Sequence, residues 1–409
     1  MKALVYHHSV VRYLACMLLS RLRRRSFFPS VAPLRLRDVD FKLPDADWAK
    51  GWVTLKTRMC GICGSDLSLL RGAESLLLEP YSSFPAILGH EVLAEVVDAP
   101  EGSELQAGDR VVVEPVLSCV VRGLPLCPQC ERGDYNLCEN FLTGPVGAGP
   151  VMGYNSDVGG GMAEFLFAHP ERIFRIPDHV ADEDAVLVDT VASALQPVLD
   201  NFPEPGDTVV VLGAGIIGQH VIRCLRALGF DGRLLVIARH DFQQELAKAG
   251  GASEILSSMN RKALAKALGA TFHATSLGGG NVEGGADVFF DCAGGSRTLQ
   301  EGILALRGKG RYVMVGTASS INKVDLSSLW FRQLTMTGTM CYGHGMLGGE
   351  RVRTYQLAVD LLARGDYPTK GLVTHSFALE EWKTAFSALF DKSRHASVKV
   401  VFDLRGNND

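Results

Sequence analysis

One stretch limits the folds open to this chain of 409 residues more than any other. Thr208-Val209-Val210-Val211-Leu212 is an apolar run of strand length that enters Gly213-Ala214-Gly215-Ile216-Ile217-Gly218, and an apolar-periodic segment continues through Leu225 and Leu228 to Gly229. That order reads as strand, glycine turn, helix. The glycines allow a tight turn, close approach of backbone to a pyrophosphate and close packing of helix on strand, with phosphate at the positive helix end. A GxGxxG alone is weak, but here both flanking elements are legible and a second strand, Arg233-Leu234-Leu235-Val236-Ile237, follows. The expectation is a doubly wound parallel sheet with a dinucleotide site at Gly213, Gly215, Ile216, Ile217 and Gly218.

Two further constellations carry metal chemistry. Gly61-Ile62-Cys63-Gly64-Ser65-Asp66, with Gly89-His90-Glu91 downstream, gathers a thiol, a hydroxyl, carboxyls and an imidazole. Catalytic zinc takes such ligands and leaves one tetrahedral position open, although a Cys and a His this close in sequence are also ordinary packing residues. Cys119, Cys127, Cys130 and Cys138 form the second group, in which Cys127-Pro128-Gln129-Cys130 is a C-x-x-C on a turn stiffened by proline. Four thiolates close a tetrahedron around a structural zinc. The competing reading, a disulfide framework, suits small secreted chains better than one of this length with ten cysteines.

Composition leaves room for two cores, since 47% of the residues are hydrophobic, and a net charge of -4 argues against a nucleic-acid surface. Short strands and Gly/Pro turns fill the chain to about Pro177, as in Asp109–Pro115 and Met162–Leu166, which predicts a partly open β-barrel. Asp182 to Asn201 reads as helical, βα units run from Gly206 to about Thr339, and the glycines from Gly278 to Gly285 read as a surface loop. The basic run Arg21-Leu22-Arg23-Arg24-Arg25 follows an apolar segment, Val10 to Leu19, that is interrupted by Arg12 and too short to span a bilayer.

In this order, GICGSD, GHE, the cysteine lobe and GxGxxG resemble the zinc-dependent medium-chain alcohol dehydrogenases, including their sorbitol, threonine and formaldehyde dehydrogenase branches. The match covers most of the chain, and Asp287-Val288-Phe289-Phe290-Asp291-Cys292-Ala293-Gly294-Gly295 looks like the family's later cofactor-domain strand and turn. The resemblance implies an α/β fold of two domains. A GroES-like, partly open β-barrel catalytic domain would cover 1–188, with a zinc lobe at about 115–140. A Rossmann domain would follow at 189–340, and 341–409 would return to the first. Met1 to Tyr6 looks like the family's first strand, expected to pair with Leu34 to Val39 while the last strand, Val398 to Phe402, closes the barrel. Residues 7–33 are then an insertion; their Arg-rich, acid-free start is compatible with a transit peptide, but the early strand favours the cytoplasm.

The resemblance also assigns roles. Cys63 and His90 would bind catalytic zinc, Asp66 would orient His90, and Asp189 would be the third ligand, its alternative role being a helix N-cap. One thiolate and one carboxylate would cancel the charge of the ion. Glu91 is expected beside the metal as a mobile neighbour. Ser65 would hydrogen-bond the substrate oxygen and start a proton relay, yet Ser68 stands where many relatives carry the His that completes it. At the end of the second cofactor-domain strand, Ala238 replaces the acid that bonds the ribose in NAD-specific relatives, followed by Arg239 and His240. Arg239 offers a fork for a 2'-phosphate, so NADP is favoured over NAD; the alternative is a solvated Arg239 and use of either cofactor. Expected overall are two zinc ions per chain and a homo-oligomeric oxidoreductase passing hydride between an alcohol, with polyols the favoured class, and NAD(P). The rival classes are a zinc-free quinone or enone reductase of the same superfamily and a non-catalytic relative.

Overall fold

The longest strand of the first folded unit, Val53–Gly61, shows how local pattern becomes architecture: Val53, Leu55, Thr57 and Met59 are buried while Thr54, Lys56 and Arg58 are half-buried, the period of two that a sheet requires. The structure, a computed structural model, describes residues 1–23, 25–317 and 320–406; Arg24 of the basic run lies outside the described residues. Two units are present, Met1–Asp189 with Tyr355–Asp409, and Thr190–Thr354.

In the first unit the main sheet runs Val373–Phe377, Lys399–Asp403, Val53–Gly61, Glu91–Asp98, Arg110–Val113, Ile173–Arg175, and Phe165–Ala168 shares the second edge of Val53–Gly61. A smaller sheet places Lys2–Tyr6 between Leu34–Asp38 and Ala86–Ile87, with Lys2 opposite Asp38. No closed barrel forms among the described strands. The terminal strand, expected to close one, is instead interior: Val400, Val401 and Phe402 are fully buried, which requires neighbours on both edges. The insertion contains the helix Val10–Leu22, capped by Ser9 and seated through Cys16 in the core of this unit. Phe27, from the same insertion, packs its ring 5.6 Å from Phe386 and 5.1 Å from Phe390.

The second unit holds a six-stranded parallel sheet in the order Glu254–Leu256, Arg233–Ile237, Thr208–Leu212, Ala286–Asp291, Leu306–Met314, Thr335–Gly338. Numbered along the chain this is 3-2-1-4-5-6, the doubly wound order whose switch point lies between Thr208–Leu212 and Ala286–Asp291. Val209, Val210 and Val211 are fully buried, each worth on the order of 1.5–3 kcal/mol of apolar transfer. The glycine-rich 278–285 stretch is not only a loop: Gly280–Glu283 pairs antiparallel with Thr271–Ala274, because Val282 has a buried position to fill. The chain returns to the first unit at Tyr355, later than residue 341, since the hairpin His344–Leu347/Glu350–Arg353 is held by Gln196, which takes the N–H of Gly343 at 3.0 Å and the hydroxyl of Thr354 at 2.7 Å.

Candidate functional site

Strand register brings the first constellation together. Gly61 pairs with Glu91, so the residues just past one strand end, Ile62 and Cys63, meet the residue just before the other, His90. Cys63 is the N-cap of the helix Gly64–Arg71. Donor atoms of Cys63, His90 and Glu91 lie within 4.8 Å of one another. Burial raises the Cys63 thiol, but His90 outweighs it and the thiol falls below its ordinary value. Burial lowers His90, and the neighbouring Cys63 sulfur carries it back up to about 9. A thiolate beside an imidazole is the donor set that zinc takes once the ring has lost its proton.

Around this pair several side chains do what the sequence does not announce. Asp66 is fully buried, and the bonds it makes are not to His90: Oδ2 accepts the Cys63 N–H at 2.9 Å and Oδ1 accepts the Tyr154 hydroxyl at 3.2 Å. His90 Nδ1 is buried without a hydrogen-bond partner. Glu91 forms a buried ion pair with Lys399, whose ammonium also donates to the Ile62 carbonyl at 3.1 Å. Asp189 stands outside the trio. It lies in the first turn of the helix Val188–Asp200, is 6% exposed, and its charge reaches His90. The Ser65 hydroxyl oxygen is shut off from solvent and lies close to the Tyr154 hydroxyl. Ser68 donates to the Gly64 carbonyl at 3.2 Å, one turn back on its own helix, so it does not extend a relay. Tyr154 and Lys399 were missed in sequence; only Lys399 left a trace, as a charge in the otherwise apolar strand Val398-Lys399-Val400-Val401.

All four lobe cysteines have sulfurs within 4.8 Å of one another and none is in a disulfide. Cys119 belongs with the other three, its sulfur 3.5 Å from that of Cys138. The intervening Arg122 organises the lobe: fully buried, it donates to the carbonyls of Leu117, Phe141, Thr143, Val146, Gly147 and Gly149. Backbone N–H groups point at sulfur, from Cys127 to Cys119, Glu139 to Cys127 and Asn140 to Cys138, each at 3.4 Å. Burial raises Cys127, yet the Glu139 N–H and its neighbours bring it down to about 7. Burial instead raises Cys130 and takes Cys138 up to about 11, so the four converging sulfurs become thiolates together only around an ion, as at a tetrahedral metal site.

In the second unit, Gly213 has φ +90° and a Cβ there would press on Ala293, while a Cβ on Gly218 would collide with the Gly213 carbonyl. Gly215 caps the helix Ile216–Ala227, which opens with Ile216 and Ile217, and the space in front of Gly215 is clear to 4 Å. A phosphate fits there. Ala238 is buried and its carbonyl takes the Gln244 amide; His240 caps the next helix and stacks on Phe242 with centroids 5.5 Å apart. Arg239 is exposed, with no hydrogen bond or ion pair among the described residues. The buried Asp291, unforeseen as an organiser, ties the facing turn by accepting from the N–H groups of Ala293 and Gly294 and from the hydroxyls of Thr298 and Tyr312. A separate cavity of about 250 Å³ in the first unit, lined by Phe41, Trp48, Trp52 and Phe167, includes none of these site residues.

Comparison with known proteins gives the same picture. The family described as Alcohol dehydrogenase GroES-like domain matches residues 49–178, and the one described as Zinc-binding dehydrogenase matches 217–364. The chain is 28% identical over 352 residues to the sorbitol dehydrogenase of Bacillus subtilis, covering 84% of this chain and 88% of that protein. It is 28% identical over 360 residues to the L-threonine 3-dehydrogenase of Pyrococcus horikoshii, covering 87% and 92%. Among solved structures it is similar in fold to 2R,3R-butanediol dehydrogenase from Bacillus subtilis, with a TM-score of 0.71 at 24% identity, covering 98% and 99% of the two chains. A putative zinc-binding dehydrogenase from Sinorhizobium meliloti bound to NADP gives a TM-score of 0.69 at 25% identity, covering 90% and 95%. Fold, donor sets and relatives converge: the chain belongs to the zinc-dependent medium-chain alcohol dehydrogenase family and is an NAD(P)-dependent alcohol dehydrogenase.

Proposed function

We propose that the first unit is the catalytic domain and the second the cofactor domain, and that the enzyme oxidises a hydroxylated secondary alcohol of the polyol type to its ketone, with NADP as the favoured acceptor. The observation that carries this reading is the convergence of the Cys63, His90 and Glu91 donor atoms, with the Ser65 hydroxyl two residues along from Cys63. Cys63 and His90 hold the catalytic zinc. Glu91 is already paired with Lys399, and Asp189, buried in the first turn of its helix, would supply the second anion as the family resemblance implies. Cys119, Cys127, Cys130 and Cys138 hold a second zinc. When bound, zinc makes an alcohol oxygen acidic near neutral pH and the nicotinamide accepts the hydride. Ser65 would accept the hydrogen bond of the substrate hydroxyl at Oγ and so orient the alcohol, taking its proton only as its own hydroxyl proton passes on to water or the cofactor ribose. Asp66 holds the Cys63 turn.

The substrate class rests on relatives named sorbitol dehydrogenase, L-idonate 5-dehydrogenase and D-xylulose reductase. The cofactor preference rests on Ala238, which brings no carboxylate to repel a 2'-phosphate, and on the free guanidinium of Arg239. Relatives in fold carry either NADH or NADP, so the choice belongs to these residues. No described helix is long and apolar enough to cross a membrane. None of the ten cysteines is in a disulfide, which fits a reducing compartment, and we place the enzyme in the cytoplasm; a homo-oligomer is proposed on the family resemblance. The test is a panel of polyols, sugars, amino-alcohols and simple alcohols assayed with both cofactors. Highest kcat/KM on a polyol with NADP supports the reading; a clear preference for NAD overturns the cofactor assignment, and a preference for simple primary alcohols overturns the substrate class.

A further inference from the structure

Tyr154 belongs to none of the motifs, yet it reaches the centre of the site. Its side chain is 8% exposed, its ring lies 5.9 Å from the His90 imidazole at 45°, and its hydroxyl donates to Asp66 Oδ1 at 3.2 Å. The other oxygen of that carboxylate accepts the Cys63 N–H at 2.9 Å. A chain of two hydrogen bonds therefore runs from the tyrosine to the backbone of a metal ligand. The loop carrying Tyr154 is held by hydrogen bonds at two successive residues. Its carbonyl accepts the Ser83 N–H at 3.0 Å, and the adjacent Asn155, fully buried, donates to the Gly147 and Ala148 carbonyls and accepts the N–H groups of Asp157 and Val158.

Asp66 is fully buried, and two hydrogen bonds aim its carboxylate. One donor is the Cys63 N–H. The other is Tyr154, and without it Oδ1 is a buried acceptor lacking that partner, free to turn away from the Cys63 turn. We propose that Tyr154 is a positioning residue for the catalytic metal: it locks Asp66, and through Asp66 the turn that presents the Cys63 sulfur. The proposal rests on the reading of Cys63 and His90 as zinc ligands.

The test compares wild type, Tyr154→Phe, Asp66→Asn and the double variant as purified holoenzymes. The readouts are the rate at which a chelator strips each zinc and the visible bands of enzyme with cobalt in the catalytic site. Tyr154→Phe is expected to speed release of the catalytic ion by roughly tenfold, the scale of such supporting partners, and to shift the cobalt bands, with release from the cysteine lobe unchanged. In the double variant the rate should equal that of Asp66→Asn, because the tyrosine acts through the carboxylate. Release and bands unchanged in Tyr154→Phe overturn the proposal, as do independent, multiplicative effects in the double variant or equal acceleration at both metals. If Cys63→Ala leaves the metal content unaltered, the underlying ligand assignment fails instead, and the two failures are thereby told apart.

Discussion

The two serines on the helix Gly64–Arg71 are close in sequence and opposite in circumstance. The Ser65 hydroxyl is buried beside that of Tyr154, while Ser68 is tied to the Gly64 carbonyl. Ser65→Ala is therefore expected to lower kcat by on the order of 10²-fold or more with zinc retained, and Ser68→Ala to change it by less than about twofold; steady-state kinetics with metal analysis checks both, and an unaffected Ser65→Ala removes that residue from the mechanism. Lys399 is the other decisive side chain. Lys399→Met would strand the buried Glu91 carboxylate, a loss of roughly 3–5 kcal/mol, and adding Glu91→Gln should recover much of it; urea unfolding that finds the two changes additive would contradict a direct pair. Cys63, His90 and the lobe cysteines were legible because their ligand types sit at recognisable local spacings. The bonds of Asp66 were not, since Tyr154 lies 88 positions along the chain, and sequence spacing carries nothing about which buried donor reaches a carboxylate first.

Elements were legible where pattern and period agreed. The glycine turn, with its strand and helix, was clear because an apolar run ends abruptly in residues that permit the turn. Only the arm Gly280–Glu283 of the hairpin with Thr271–Ala274 falls in the stretch that reads as loop, because its glycines hide a short strand with one buried valine. The connection at Asp182–Ala185 shows how an element is fastened by charge. Asp182 meets Arg58 at 2.8 Å, Arg110 at 2.6 Å and Arg405 at 3.1 Å. Burial raises the carboxyl, but these guanidinium groups outweigh it and hold it below the usual carboxylate range. A carboxyl depressed in the folded state contributes fully above its unfolded value, about 3.9, and the contribution disappears as pH falls through the folded value. The stability gap between wild type and Asp182→Asn should thus be constant at pH 5–7 and narrow below about pH 4. Urea midpoints across that range test it, and a gap that persists on acidification contradicts it.

At the scale of the molecule, two units with separate cores divide the work, one carrying both candidate metal centres and the other the dinucleotide turn. The family fold could be read before any coordinate, because each motif carries its own element with it, whereas the strand order came with the structure. The course of the 7–33 insertion could not be read, as Phe27, beyond its helix, packs on residues as distant as Phe390. Arg239 stands exposed at the cofactor end of the second unit, and Arg239→Ala should reduce kcat/KM for NADP about tenfold or more while leaving NAD nearly unchanged; parallel losses with both cofactors would assign it a structural role. The central claim is an electrophilic ion at Cys63 and His90, and its most direct test is elemental analysis of the wild type and Cys63→Ala alongside NAD(P)-linked activity. The account predicts two zinc ions per wild-type chain, one in the variant, and activity lost with the missing ion; a fully active wild type without zinc, or a Cys63→Ala chain that keeps both ions, would contradict it.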